Sequence, residues 1–180
     1  MEVSLQDIVE AVKDDLKKPY KVWDDYVPIV ETEGTLDIYL TDSISVPGEY
    51  NEACRKIMQA EHDTRVTLHI NNGGGIIDSA FMIIDAIHLS DANVTARLSG
   101  TVASAATVIS LACDHLDVVD YTSFMIHNYS SGTQGKGHEM KAYMDFTNSE
   151  LNDAFREIYG GFLTEDEMQL VIDGKDMWMG

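Results

Sequence analysis

The chain has 180 residues, enough for one domain with a substantial core, and a formal net charge of −19. That acidity argues against nucleic-acid binding, which needs a basic footprint, and the longest apolar runs fall far short of a membrane span. Cys54 and Cys113 are too few for a disulfide framework and read as reduced, buried thiols. Residues 1–20 are charged and lack the apolar core of a signal peptide, so a cytoplasmic location is expected.

Ser4 to Lys17 reads as an amphipathic helix with Leu5, Ile8, Val9, Val12 and Leu16 on one face, stopped by Pro19. Tyr20 to Glu33 is expected to be a loop or edge strand, completing an N-terminal segment over 1–33. Leu36 to Leu40 alternates as a strand, Glu49 to Ala60 is helical, and Val66 to Ile70 is a strand. Ile76 to Leu89 follows as a helix with Ala80, Ile83, Ile84 and Ile87 inward. Strands near Val94, Val118 and Met125 continue the alternation, with a short apolar helix from Thr107 to Ala112. His138 to Gly160 is the longest helical pattern, with more apolar surface than one core face needs. Thr164 and Glu167 form a capping box for a last helix, Glu165 to Ile172. Such strand–helix repetition predicts an α/β fold built around a parallel sheet.

Three segments carry chemistry. Leu68-His69-Ile70-Asn71-Asn72-Gly73-Gly74-Gly75 is an apolar strand entering a triple-glycine turn. Gly100-Thr101-Val102-Ala103-Ser104-Ala105-Ala106 places a serine among small residues at a helix start, where backbone N–H groups favour a developing negative charge. Phe124-Met125-Ile126-His127-Asn128 delivers a histidine from a strand into a Ser/Gly-rich loop. A bare glycine turn, a serine at a helix start and a histidine at a strand end are the parts of an acyl-transfer site.

These motifs resemble those of the ClpP family, the proteolytic subunits of the ATP-dependent Clp protease. The resemblance covers roughly Leu36 to Met179. The family's glycine turn corresponds to Asn71 to Gly75, its serine segment to Gly100 to Ser104, and its Met-Ile-His turn is present as Met125-Ile126-His127. Its aspartate shortly before an aromatic falls on Asp176 in Gly174-Lys175-Asp176-Met177-Trp178, with Asp173 the alternative in the same loop. Gly73 stands where the family usually has proline, and Ala105 where methionine is common. The family continues past the position of Gly180 with a short helix and a final strand, and it begins with an axial pore loop where this chain has its acidic helix.

The resemblance implies a crotonase-like fold of repeated ββα turns with a protruding handle helix at His138–Gly160, and a peptidase domain over 34–180. It implies Ser104 as nucleophile, His127 as general base and Asp176 as the residue orienting it. The backbone N–H groups of Gly75 and Ala105 would form the oxyanion hole. No metal or other cofactor is expected. The implied partners are copies of the chain in two stacked heptameric rings (a tetradecamer), an AAA+ unfoldase, and unfolded polypeptide substrates. Three other readings stand beside serine endopeptidase. A crotonase-fold acyl-CoA enzyme would want basic residues for the CoA phosphates, and this acidic chain has few. A Ser–Lys peptidase has only Lys136 close to the active-site segments. A non-catalytic ring subunit would not need the Ser/His motifs.

Overall fold

A computed structural model describes residues 27–180. The helix expected at Ser4–Lys17, and most of the 1–33 segment, lie outside the described residues. The described residues open with strands β1 (Ile29–Thr32) and β2 (Thr35–Leu40), which pair antiparallel. A single 3₁₀ turn, Pro47–Tyr50, then leads into α1 (Asn51–Gln59). The expected helix at Glu49 thus starts later, behind a tighter turn that Pro47 begins with its fixed φ. Next come β3 (Arg65–Asn72), α2 (Ile77–His88), β4 (Val94–Ala103), α3 (Ala105–Leu111), β5 (His115–Val118) and β6 (Ser123–Ile126). The long helix α4 (Gly137–Tyr159), helix α5 (Glu165–Ile172) and strand β7 (Met177–Met179) complete the order.

The expected parallel sheet is present. Strands β2, β3, β4 and β6 run parallel in that order, with antiparallel β1 and β7 at the edges. β4 is long enough to pair twice on one side: Thr95–Leu98 with β5, and Thr101–Ala103 with β6. The strand therefore runs on through the small-residue segment, where no alternating pattern announces it. Pairing with Asn72 on one side and Phe124 on the other holds it extended.

One face of the sheet carries the core. Leu36, Ile38 and Leu40 of β2 pair with Val66, Leu68 and Ile70 of β3, which pair in turn with Val94, Ala96 and Leu98 of β4. All nine are buried. Helices α1, α2 and α3 cover this face, with Ala53, Ile57, Ala80, Ile83, Ala86, Ile87, Ala106 and Ile109 in the same cluster. Each fully buried branched side chain stabilises the fold by about 1.5–3 kcal/mol relative to exposure. The opposite face is polar, with Tyr39, His69, Arg97 and Asp117 in one row across four strands. There the His69 ring stacks on Tyr39 with centroids 4.4 Å apart and bonds Asp37 at 2.7 Å. Among the described residues, no helix is long and apolar enough to cross a membrane.

Cys54 is buried between α1 and α2, and Cys113 lies half-buried just after α3. Burial pushes the Cys54 thiol up to about 11, helped by Asp85, and the Cys113 thiol up to about 12, helped by Asp114. Both are therefore weak nucleophiles at neutral pH. Iodoacetamide is expected to leave the folded protein unmodified and to add to both cysteines in urea, as read by intact mass. The sign for stability follows. Folded values above the unfolded ones mean that stability declines as pH rises past the ordinary thiol value of about 8.5.

Candidate active site

The site is assembled where the parallel strands end. Ser104 is the joint between β4 and α3, with φ 56° and ψ −128°, a region that serine seldom occupies. Neighbouring bonds hold it there: its N–H donates to the Met125 carbonyl at 2.9 Å, and its own carbonyl accepts from the Thr107 N–H at 2.9 Å. The sharp turn leaves the Ser104 side chain half-buried at the mouth of a cleft while Ala105 and Ala106 are buried behind it. Alanines suit these positions because α3 is buried along almost its whole length.

The glycine turn lies directly against this joint. Asn72 is buried, donates to the Leu40 carbonyl at 2.7 Å and accepts from the Gly74 N–H at 2.8 Å, so it fixes the turn to the sheet. Asn71 accepts from the Thr101 N–H at 3.1 Å, bracing β4 at the point where the β3–β4 register shifts. At Gly74 (φ 91°) an added Cβ would come within 2.6 Å of the Ser104 Cβ and 2.8 Å of the Ala105 nitrogen. The turn and the helix start are thus in contact, backbone to backbone. Gly75 forms an isolated bridge with Ile44 whose bonds run through its neighbours, Ile44 N–H to the Gly74 carbonyl and Ile76 N–H to the Ile44 carbonyl. In that parallel pattern the N–H of Gly75 itself points away from Ile44.

At Gly75 (φ 151°) a Cβ would fall 2.1 Å from the Ile44 carbonyl oxygen, so the turn must move to accept any side chain. Gly75→Ala is expected to lower peptidase kcat by on the order of 10²–10³, the usual cost of losing one oxyanion donor. Gly73 is the control, because a Cβ there meets nothing within 4 Å. Gly73→Ala should keep activity within a few-fold. Equal loss in both variants, measured on a fluorogenic peptide, would contradict the role given to Gly75.

His127 follows the last residue of β6, half-buried, with Nε2 at 2.7 Å from Ser104 Oγ. Parallel pairing of Ala103 with Met125 brings the ends of β4 and β6 side by side. The loop after His127 is tied down by Asn128, which donates to the Ile172 carbonyl at 2.9 Å and accepts from the Tyr129 N–H at 2.8 Å. Nothing in the sequence singled out Asn128 for that task.

Asp176 immediately precedes β7; the observed β6–β7 register ends at Ile126 with Met177, and continuing it by one residue would face Asp176 with His127. Facing residues of an antiparallel pair project to the same side of the sheet. The Asp176 side chain is exposed, and among the described residues no hydrogen bond joins it to the imidazole. Asp173 is committed elsewhere: it ends α5 and accepts from Gln169 Nε2 at 2.9 Å. Both aspartates are exposed, and among the described residues neither is hydrogen-bonded to His127.

Ser104, Ala105, Gly75 and His127 line a single cleft of about 590 Å³ between α2, α3, the His127 loop and α4. Its walls are largely apolar, with Phe81, Val108, Phe146, Leu151, Phe155 and Ile158 among them. Only Tyr159 of α4 is buried, so the long helix shows most of its apolar residues to the cleft or to solvent.

The strained serine, bonded to a histidine beside a glycine turn at the end of a parallel sheet, lies within residues 34–173, which match the family model described as Clp protease. The chain belongs to the Clp protease family, whose mixed α/β architecture it shares. It is similar to the ATP-dependent Clp protease proteolytic subunit 2 of Pseudomonas aeruginosa, 33% identical over 89 residues. That stretch covers 48% of this chain and 44% of the relative, so the match spans less than half of the relative's length. Gly75, Ser104, Ala105 and His127 fall inside the span of the family match, and Asp176 lies beyond it.

Proposed function

We propose that this chain is a self-compartmentalised serine endopeptidase that cuts unfolded polypeptides through a Ser-His-Asp acyl-enzyme mechanism. The observation that carries the reading is the 2.7 Å bond between His127 Nε2 and Ser104 Oγ at the strained head of α3. In acylation His127 takes the hydroxyl proton as Ser104 Oγ attacks the scissile carbonyl, then gives that proton to the leaving amine. The oxyanion forms against the N–H groups of Gly75 and Ala105, two backbone donors that the glycine turn and the helix start present together. In deacylation His127 takes a proton from a water whose oxygen attacks the acyl carbonyl; the Ser104 Oγ–carbonyl bond then breaks, and the imidazolium returns the proton to Ser104 Oγ as the acid leaves. Asp176, opposite His127, fixes the ring's tautomer and stabilises its charged form once the two meet.

The exposed apolar side chains of α4 support assembly with other copies, among them Tyr143 and Phe146. By the family relation the assembly is two stacked heptameric rings enclosing the sites, fed by an AAA+ unfoldase. Reduced thiols fit a cytoplasmic setting. The test is labelling of the purified protein with a fluorophosphonate and location of the adduct by mass spectrometry. One adduct, on Ser104, is expected. An unlabelled protein of native ring mass would overturn the reading.

A further inference from the structure

Behind the candidate nucleophile lies a chain of hydroxyl groups outside the triad. Thr107 is fully buried, and its Oγ1 lies 2.6 Å from the Ser104 carbonyl oxygen and 2.5 Å from the hydroxyl of Tyr159. A carbonyl only accepts, so the single Thr107 hydroxyl proton goes to Ser104. The phenol of Tyr159 must then donate to Thr107 Oγ1. Both proton positions are thereby fixed by the partners. Tyr159 is 1% exposed, closes α4, and packs against Phe155 with ring centroids 4.3 Å apart and planes tilted by 39°. Burial also raises its ionisation far above the ordinary phenol range, which keeps it a donor across physiological pH.

The importance of this chain lies in the peptide unit it grips. The Ser104 carbonyl and the Ala105 N–H are two ends of one planar group. Pulling the carbonyl inward, with the Thr107 N–H at 2.9 Å and its hydroxyl at 2.6 Å, sets the direction in which the Ala105 N–H points outward. The same plane is one flank of the unusual Ser104 conformation. We propose that Thr107 and Tyr159 are positioning residues that aim the Ala105 amide at the developing oxyanion, so that the end of α4 reports to the reacting centre through two hydroxyls. This rests on the peptidase reading above and goes beyond the triad and the oxyanion hole themselves.

Thr107→Val keeps the side-chain shape and removes the hydroxyl; Tyr159→Phe keeps the ring. Each is expected to slow fluorophosphonate labelling of Ser104 and to lower kcat on a fluorogenic peptide by about five- to tenfold, the scale of one lost hydrogen bond. KM should stay within twofold, because the loss falls on the transition state. Thr107→Ser should restore labelling. The double variant should be no slower than Thr107→Val alone, since the two bonds act in series. A hydroxyl pair that only stabilises the core would lower Tm in both single variants while the labelling rate stayed at the wild-type value, and that result overturns the proposal. If instead the wild-type protein labels at a residue other than Ser104, the peptidase reading itself has failed, and the two failures are told apart.

Discussion

Ser104→Ala is expected to abolish fluorophosphonate labelling and to cut peptidase turnover by on the order of 10⁶, the cost of removing a serine nucleophile. The prediction is sharp because the substitution is structurally quiet. Among the described residues the Ser104 hydroxyl bonds only the His127 ring, and its fold-critical contacts are made by its backbone N–H and carbonyl. Alanine at φ 56° costs at most a few kcal/mol beyond what serine already bears there. The variant should therefore keep its native mass and circular dichroism. Undiminished hydrolysis in such a variant, freed of co-purified host peptidases, would remove Ser104 from the mechanism.

The second large effect is expected at the proposed third member, Asp176. Asp176→Asn is expected to lower kcat by on the order of 10⁴, since an amide opposite His127 holds the wrong tautomer and cannot stabilise the imidazolium. Asp173→Asn should stay within a few-fold of wild type, because Asp173 only accepts from Gln169 on the exposed flank of α5. Side-by-side kinetics at saturating peptide would separate them. The reverse ranking would move the role to Asp173 and require the α5–β7 turn to be rebuilt. Equal, small effects would mean that His127 works without a carboxylate partner.

Much of this arrangement was legible in the residues because it is local. The Ser104 joint follows from a strand running into small residues and then into an apolar helix, and α3 starts where that pattern changes. The capping box at Thr164 and Glu167 is present with both of its bonds. What was hidden is non-local. Met177-Trp178-Met179 is too short and too uniformly apolar to alternate, and only pairing with Phe124–Ile126 makes it a strand. The Ile44–Gly75 bridge explains why Gly75 tolerates no side chain, yet Ile44 sits in a loop that carries no periodic signal. The Thr107–Tyr159 bond joins groups 52 residues apart, beyond any local pattern. Ile84, expected inward on α2, is only half-buried, while Ala86 is fully enclosed.

The short strand β7 has a consequence of its own. Ser104 and His127 hang from β4 and β6, which are enclosed by neighbours on both sides, whereas Asp176 rides on a three-residue edge ribbon with Trp178 62% exposed. Edge ribbons of this size open at a small fraction of the free energy of whole-domain melting. Disarming such a site and unfolding the protein are therefore events on two different energy scales. Amide exchange is accordingly expected to come sooner at Met177–Met179 than at Thr101–Ala103, so the candidate aspartate sits beside a more readily opened strand than the candidate serine.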